Sequence, residues 1–183
     1  MHKLGLIGKN ISYSFSKVYF KNKFEKEQIA NVSYENFDID NIALFPSIMQ
    51  NTENIKGFSV TIPYKETIIP FLDALDETAK KIGAVNTIKV SKNNQLIGYN
   101  TDCHGFKNSL KPLLKPHHKK ALILGTGGAS KAIAFSLKEL NINYDFVSRT
   151  SKNGVNFTYD SLTDEIIKQH QIIINCTPIG TFP

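Results

Sequence analysis

Apolar residues fall in short runs separated by polar breaks rich in Gly, Asn and Ser, and the spacing within the runs alternates between strand-like and helix-like. Residues 3–7, Lys-Leu-Gly-Leu-Ile, predict a first strand, followed by a polar loop over 8–16. Over 17–28, Val18, Phe20 and Phe24 predict a helix with those three side chains inward. Residues 32–37 predict a second strand, 42–49 a short helix and 57–61 a third strand. Pro63 then suits the first turn of a helix. Runs at 87–90 and 95–99 flank Lys92-Asn93-Asn94, which predicts a hairpin with turn-forming residues at its tip. A helix over 101–114 leads into 112–119, where two prolines and a His-His-Lys-Lys run mark a domain boundary.

The pattern beyond that boundary is the most specific in the chain. An apolar strand at 121–124 runs straight into Gly125-Thr126-Gly127-Gly128-Ala129. A helix follows with Ala129, Ala132, Ile133, Ser136, Leu137 and Leu140 on one stripe. A strand, a tight glycine turn and a helix start together present backbone N–H groups to a pyrophosphate. Gly125 would allow the turn, Gly127 close approach of the backbone, and Ala132 close packing of helix on strand. The same pattern also occurs in turns that bind nothing. The next strand, 144–147, ends in Ser148-Arg149-Thr150, which puts an arginine 24 residues beyond Gly125. An arginine there suits the 2′-phosphate of NADP, whereas an acidic residue would suit NAD.

The last strand, 172–175, enters Cys176-Thr177-Pro178-Ile179-Gly180. Strands alternating with helices predict two α/β units. Residues 1–101 are expected to form an N-terminal α/β unit, 102–119 a connecting helix and linker, and 120–183 a partial Rossmann unit with a doubly wound parallel sheet. Three strands are expected in that second unit, where a full doubly wound sheet has about six. The chain is therefore expected to be incomplete, or to need another chain along its exposed edge; a homodimer is one such assembly.

Three clusters in the first half carry candidate chemistry. Ser12, Ser14 and Ser16 alternate along the first loop, a way to present hydroxyls to a carboxylate; Ser16 could equally cap the following helix. Ser59-Val-Thr61-Ile-Pro-Tyr-Lys65 would place Lys65 near the positive end of a helix dipole, which eases loss of its proton and suits acid–base work. The alternative is an ordinary surface lysine. Asn86 and Asp102 stand at strand ends, where ligands meet α/β sheets, though Asp102 could instead cap the helix it opens.

Composition narrows the partners. At 183 residues and 41% hydrophobic, the chain can bury one large or two small cores. The net charge of +6 favours anionic ligands, but the one tight basic cluster, Lys115 to Lys120, has no aromatic stacking series beside it, so no nucleic-acid partner is expected. No run approaches the roughly 18 apolar residues of a membrane span, and no signal peptide opens the chain. Two cysteines without a disulfide or zinc spacing point to the cytoplasm, and no metal site is expected.

Taken together, the motifs resemble the shikimate dehydrogenase family. Gly5-Leu-Ile-Gly8 with Ser14-Phe-Ser16, Val60-Thr-Ile-Pro-Tyr-Lys65, Ala84-Val-Asn86-Thr87, Asn100-Thr-Asp102-Cys-His-Gly105, the glycine loop with Arg149-Thr150, and Asn175 to Gly180 occur in the family's order. The resemblance implies an NADP-dependent oxidoreductase of aromatic amino-acid biosynthesis that interconverts 3-dehydroshikimate and shikimate. It implies Ser14 and Ser16 on the substrate carboxylate, Thr61, Asn86 and Asp102 on ring hydroxyls, and Lys65 with Asp102 moving the proton. It also implies cofactor contacts from Gly125, Thr126, Gly127, Gly128, Ala129, Ser148, Arg149, Thr150, Thr177 and Pro178. The sequence departs from the family's pattern at Lys17, Tyr64 and Ser148, and it lacks the family's late glutamine and nicotinamide contacts. An NAD-using quinate/shikimate dehydrogenase is a second reading, weakened because Asp145 lies inside its strand. A non-catalytic binding module is a third, and the chain alone is expected to bind NADP weakly and turn over negligibly.

Overall fold

The structure, a computed structural model, describes residues 1–180. Two compact units divide the chain, Met1–Asn100 and Thr101–Pro183. The first is built on β1 (His2–Gly8), which lies between β2 (Val32–Asp38) and β3 (Ile55–Val60), parallel to both. Beyond β3 the direction reverses. β5 (Thr87–Val90) pairs antiparallel with β3, β6 (Leu96–Tyr99) returns beside it, and the two-residue β4 (Ala74–Leu75) ends the order β2-β1-β3-β5-β6-β4. The β5–β6 hairpin turns where the sequence predicts, with Asn94 at positive φ and the Ser91 hydroxyl accepting from Gln95 N.

Burial of β1 on both faces explains its nearly unbroken apolar run. On one face Ile7 joins Phe45, Phe58, Val60, Tyr64, Ile68, Val85 and Ile88 in the main core. Phe45 comes from α2 (Phe45–Asn51) and is 1% exposed, a burial that stabilises by about 1.5–3 kcal/mol. On the other face Leu6, Ile11 and Tyr34 pack with Phe20 and Phe24 of α1 (Ser16–Lys26), and the Phe20 and Tyr34 rings stack at 4.4 Å. Val18, expected inward with them, is 62% exposed. It lies two residues from Phe20, roughly 200° around the helix, so both cannot face the sheet.

The helix expected at Pro63 does not form. The Ile62–Pro63 peptide is cis, and residues 62–68 make successive turns before a short 3₁₀ helix, Ile69–Phe71. The Lys65 carbonyl accepts from Val85 N at 2.7 Å and not from Ile69 N, which goes to Glu66 O, so a helical ladder cannot propagate through it. The helix dipole invoked for Lys65 is therefore absent. A further helix, α3 (Glu77–Ile82), is capped by the Asp76 carboxylate and closed by Gly83 in the left-handed region.

The second unit is a parallel sheet in the order β10-β7-β8-β9. Its strands are β7 (Lys120–Leu124), β8 (Asn143–Ser148), the unanticipated two-residue β9 (Phe157–Thr158) and β10 (Ile172–Asn175). From α5 (Gly128–Glu139), Ala132, Ile133, Ser136 and Leu137 are buried, as the stripe predicts. The helix α4 (Asp102–Leu110) packs on α5: Ser136 Oγ donates to Cys103 O at 2.9 Å, and Lys107 pairs with Glu139 at 2.6 Å. It thus belongs to the second unit and not to a linker. A second helix not anticipated, α6 (Asp164–Gln169), is capped by Thr163. Among the described residues, no helix is long and apolar enough to cross a membrane.

A Cβ on Gly8 would lie 2.4 Å from Ile11 Cγ2 and 2.5 Å from Thr61 Cγ2. Both neighbours are β-branched and stiff, so neither methyl can swing aside. Gly8→Ala should therefore destabilise the chain by about 1–3 kcal/mol, readable as a lower denaturant midpoint. An unchanged midpoint would show that the loop and turn are looser than this packing.

Candidate active site

The candidate substrate residues of the first unit gather where β1 and β3 end. After Gly8 the chain turns into the serine loop. After Val60 it turns into the lysine turn, and backbone bonds lace the two: Thr61 N to Ile7 O at 2.9 Å, Lys9 N to Ile62 O at 3.1 Å. Ser14 and Ser16 are partly buried, while Ser12 and Tyr13 are exposed. The Ser14 hydroxyl accepts from Ser16 N at 3.3 Å, and the N-cap of α1 is Phe15, which makes no side-chain cap. Ser16 is thus the first helical residue and not the cap. Thr61 and Lys65 are partly buried.

Asn86 enters from the start of β5. Its backbone is fixed on both sides, with its carbonyl accepting from Val60 N at 2.7 Å and its N–H donating to Tyr99 O at 3.0 Å. Its side-chain oxygen accepts from Thr87 Oγ1 at 3.1 Å. Asn100, 6% exposed, holds this segment from below by donating to Ala84 O at 3.0 Å. Asp102 opens α4 in the second unit. The N-cap position is Thr101, so the carboxylate sits in the first turn, where the dipole favours it.

Three residues outside the expected set organise this corner. The Asp38 carboxylate accepts from Asn10 N at 2.8 Å and Ile11 N at 3.0 Å. Tyr64 is 5% exposed and donates its hydroxyl to Ile39 O at 2.6 Å. Burial pushes its phenol above the ordinary value, which keeps the proton on the oxygen and the donor in place. Asn100 is the third. Asp38 was findable as a carboxylate closing a strand opposite a Lys-Asn loop start, but nothing in the sequence marks Tyr64 as a hydrogen-bond donor.

The second unit offers a nucleotide corner whose residues fit a dinucleotide. Gly125 has φ 104°, and its added Cβ would meet Cys176 O at 3.1 Å and Thr177 Cγ2 at 3.2 Å, so no other residue suits this turn. Gly127 meets nothing within 4 Å, leaving space for a ligand against its backbone, and Gly128 opens α5. The N-cap of α5 is Gly127, which makes no side-chain cap, with Thr126 before it and Ala129 in the first turn. Gly125 N donates to Val147 O at 2.9 Å, joining this loop to the end of β8, from which Ser148, Arg149 and Thr150 continue. Arg149 is exposed. Thr177 is held by Asn175, whose side-chain oxygen accepts from Thr177 N and Oγ1 at 2.9 and 2.7 Å, with Pro178 next in the same turn. Burial pushes the Cys176 thiol up to about 11, so it is no nucleophile.

Asp145 is committed elsewhere. Its Oδ2 lies 2.7 Å from Lys120 Nζ and 3.0 Å from Nε2 of the buried His170, near the strand starts, at the far end from the glycine loop. Burial raises its carboxyl, but the hydrogen bonds and charges of Lys120 and His170 outweigh that and hold it below the ordinary 3.8. It is therefore not placed to receive a ribose, which removes the support for an NAD-specific site.

Comparison with known proteins follows the same outline. The shikimate dehydrogenase substrate binding domain matches residues 6–88. The shikimate dehydrogenase (NADP(+)) of Methanosphaera stadtmanae is 39% identical over 199 residues, covering 98% of this chain and 69% of that protein. Its counterpart from Clostridium botulinum strain Loch Maree is 40% identical over 190 residues, covering 98% and 72%. The crystal structure of shikimate dehydrogenase 1 from Peptoclostridium difficile superposes with a TM-score of 0.84 at 36% identity, over 100% of this chain and 69% of that one.

The Asp145 cluster has a measurable consequence. Because its carboxyl is held low, its contribution is complete above about pH 4 and is lost as pH falls through the folded-state value. Asp145→Asn should cost about 1–3 kcal/mol near neutrality. The gap between wild type and variant should close on acidification below about pH 3.8 in denaturant titrations. A gap independent of pH would refute the assignment.

Proposed function

Because the chain belongs to the shikimate dehydrogenase family, we propose that it interconverts 3-dehydroshikimate and shikimate, with NADP as the hydride carrier. The observation that carries this reading is the lacing of the serine loop to the lysine turn, with Asn86 beside them, at one corner of the first sheet. In this reading Ser14 and Ser16 hold the substrate carboxylate through their hydroxyls, and Thr61, Asn86 and Asp102 bind ring hydroxyls. Lys65 holds the proton that passes to or from the reacting oxygen, with Asp102 assisting. A lysine ammonium both stabilises and protonates an alkoxide forming on that oxygen. NADP, when bound, accepts or donates the hydride.

The glycine loop would take the pyrophosphate on the N–H groups of α5, with Thr177 and Pro178 flanking it, and Arg149, with Ser148 and Thr150, would take the 2′-phosphate. A cytoplasmic setting fits the two free cysteines. The outer edge of β10, where Ile173 is 55% exposed, would be the place for a second copy of the chain to pair.

Two substitutions in the whole gene product test the roles. Lys65→Ala should lower kcat by about 10²- to 10⁴-fold with only a modest change in KM for shikimate. A surviving kcat with a steep rise in KM would make Lys65 a binding residue. Arg149→Ala should weaken NADP by about 10- to 100-fold and leave NAD nearly unchanged, since charge-assisted bonds to the 2′-phosphate are lost. Equal loss for both cofactors would overturn the phosphate assignment.

A further inference from the structure

We propose that Asp38 and Tyr64 are positioning residues that set the serine loop and the lysine turn in fixed relation, both acting through the end of β2. The proposal rests on the functional reading above, which assigns those two segments to the substrate. Its basis is the convergence of four bonds on two consecutive residues. Asp38 grips the loop start through Asn10 N and Ile11 N at 2.8 and 3.0 Å. Ile39 N donates to Gly8 O at 3.0 Å, which ties the same point to the end of β1. Ile39 O in turn receives the Tyr64 hydroxyl at 2.6 Å, one residue before Lys65.

The two side chains have distinct tasks. Asn10 adopts a left-handed conformation, φ 55°, and its N–H together with that of Ile11 points at one carboxylate. A carboxylate accepting two backbone N–H groups fixes the direction in which the chain leaves β1. The loop then closes on itself, with Ser14 N donating to Ile11 O at 2.9 Å, so an error at Ile11 carries directly to Ser14 and Ser16. Tyr64 has its ring in the main core and its hydroxyl on Ile39, so the lysine turn is anchored by packing and by one directed bond. Neither residue needs to touch the substrate to decide where the hydroxyls and the ammonium stand relative to each other.

The test combines amide hydrogen exchange with shikimate titration on the 183-residue chain. Asp38→Ala should speed exchange over residues 10–16 by about tenfold or more, leave 61–68 protected, and weaken shikimate binding about tenfold. Asp38→Asn, which retains one acceptor oxygen, should fall between Asp38→Ala and wild type. Tyr64→Phe keeps the ring and should reverse the pattern, loosening 61–68, sparing 10–16 and again weakening shikimate. Faster exchange spread evenly over Met1–Asn100 would reduce both residues to ordinary fold elements and overturn the proposal. So would shikimate affinities within about twofold of wild type. If wild type itself binds no shikimate, the functional reading fails and the positioning roles fall with it. Loss confined to the variants' expected pattern cannot arise that way, so the two failures are distinguishable.

Discussion

The close approach of three chain segments at Gly8 is the constraint on which the first unit depends. The end of β1, the loop carrying Ile11 and the turn carrying Thr61 meet within van der Waals contact, with no room for a Cβ between them. Elsewhere in the sheet, ladder bonds set the strand spacing. Here the backbone must leave the ladder in two directions and still satisfy its donors, which it does through Ile7 O, Ile62 O and the Asp38 carboxylate. The result is a corner in which two loops are tied to the strand ends by directed backbone and carboxylate bonds. Loops so held can carry chemistry, because their side chains meet a ligand without first being ordered.

The second unit applies the same logic at a different corner. Gly125 lies against Cys176 and Thr177 while its N–H is given to Val147, so the ends of β7, β8 and β10 are brought to one place. At the opposite end of the sheet, Lys120, Asp145 and His170 form a polar cluster that satisfies a carboxylate in a largely buried position. The two ends are therefore chemically unlike. One carries the glycine loop, the start of α5 and the exposed Arg149; the other pairs Lys120, Asp145 and His170 with one another.

Much of this was legible in the sequence, for identifiable reasons. Parallel strands buried on both faces leave nearly continuous apolar runs, so β1 and β7 were visible within a residue or two. The glycine loop was visible because positive φ and close approach leave glycine as the residue that fits. What failed were inferences from local signals that a distant partner overrides. Pro63 reads as a helix start, yet Val85 N takes the Lys65 carbonyl and the chain stays in turns. Val18 reads as apolar and inward, yet Phe20 and Phe24 take the sheet-facing side. Asp38, Tyr64 and Asn100 act through bonds spanning 16 to 28 residues, and no local pattern encodes those.

The central claim is that the corner built around Gly8 is the place where shikimate binds. Backbone and side-chain resonance changes on titrating shikimate into the isotopically labelled chain test it most directly. The account predicts saturable changes centred on Ser14, Ser16, Thr61, Lys65 and Asn86, with Asp38 and the β5–β6 hairpin tip little affected. Changes centred elsewhere, or none at concentrations up to about 10 mM, where even a weak metabolite site would fill, would contradict it.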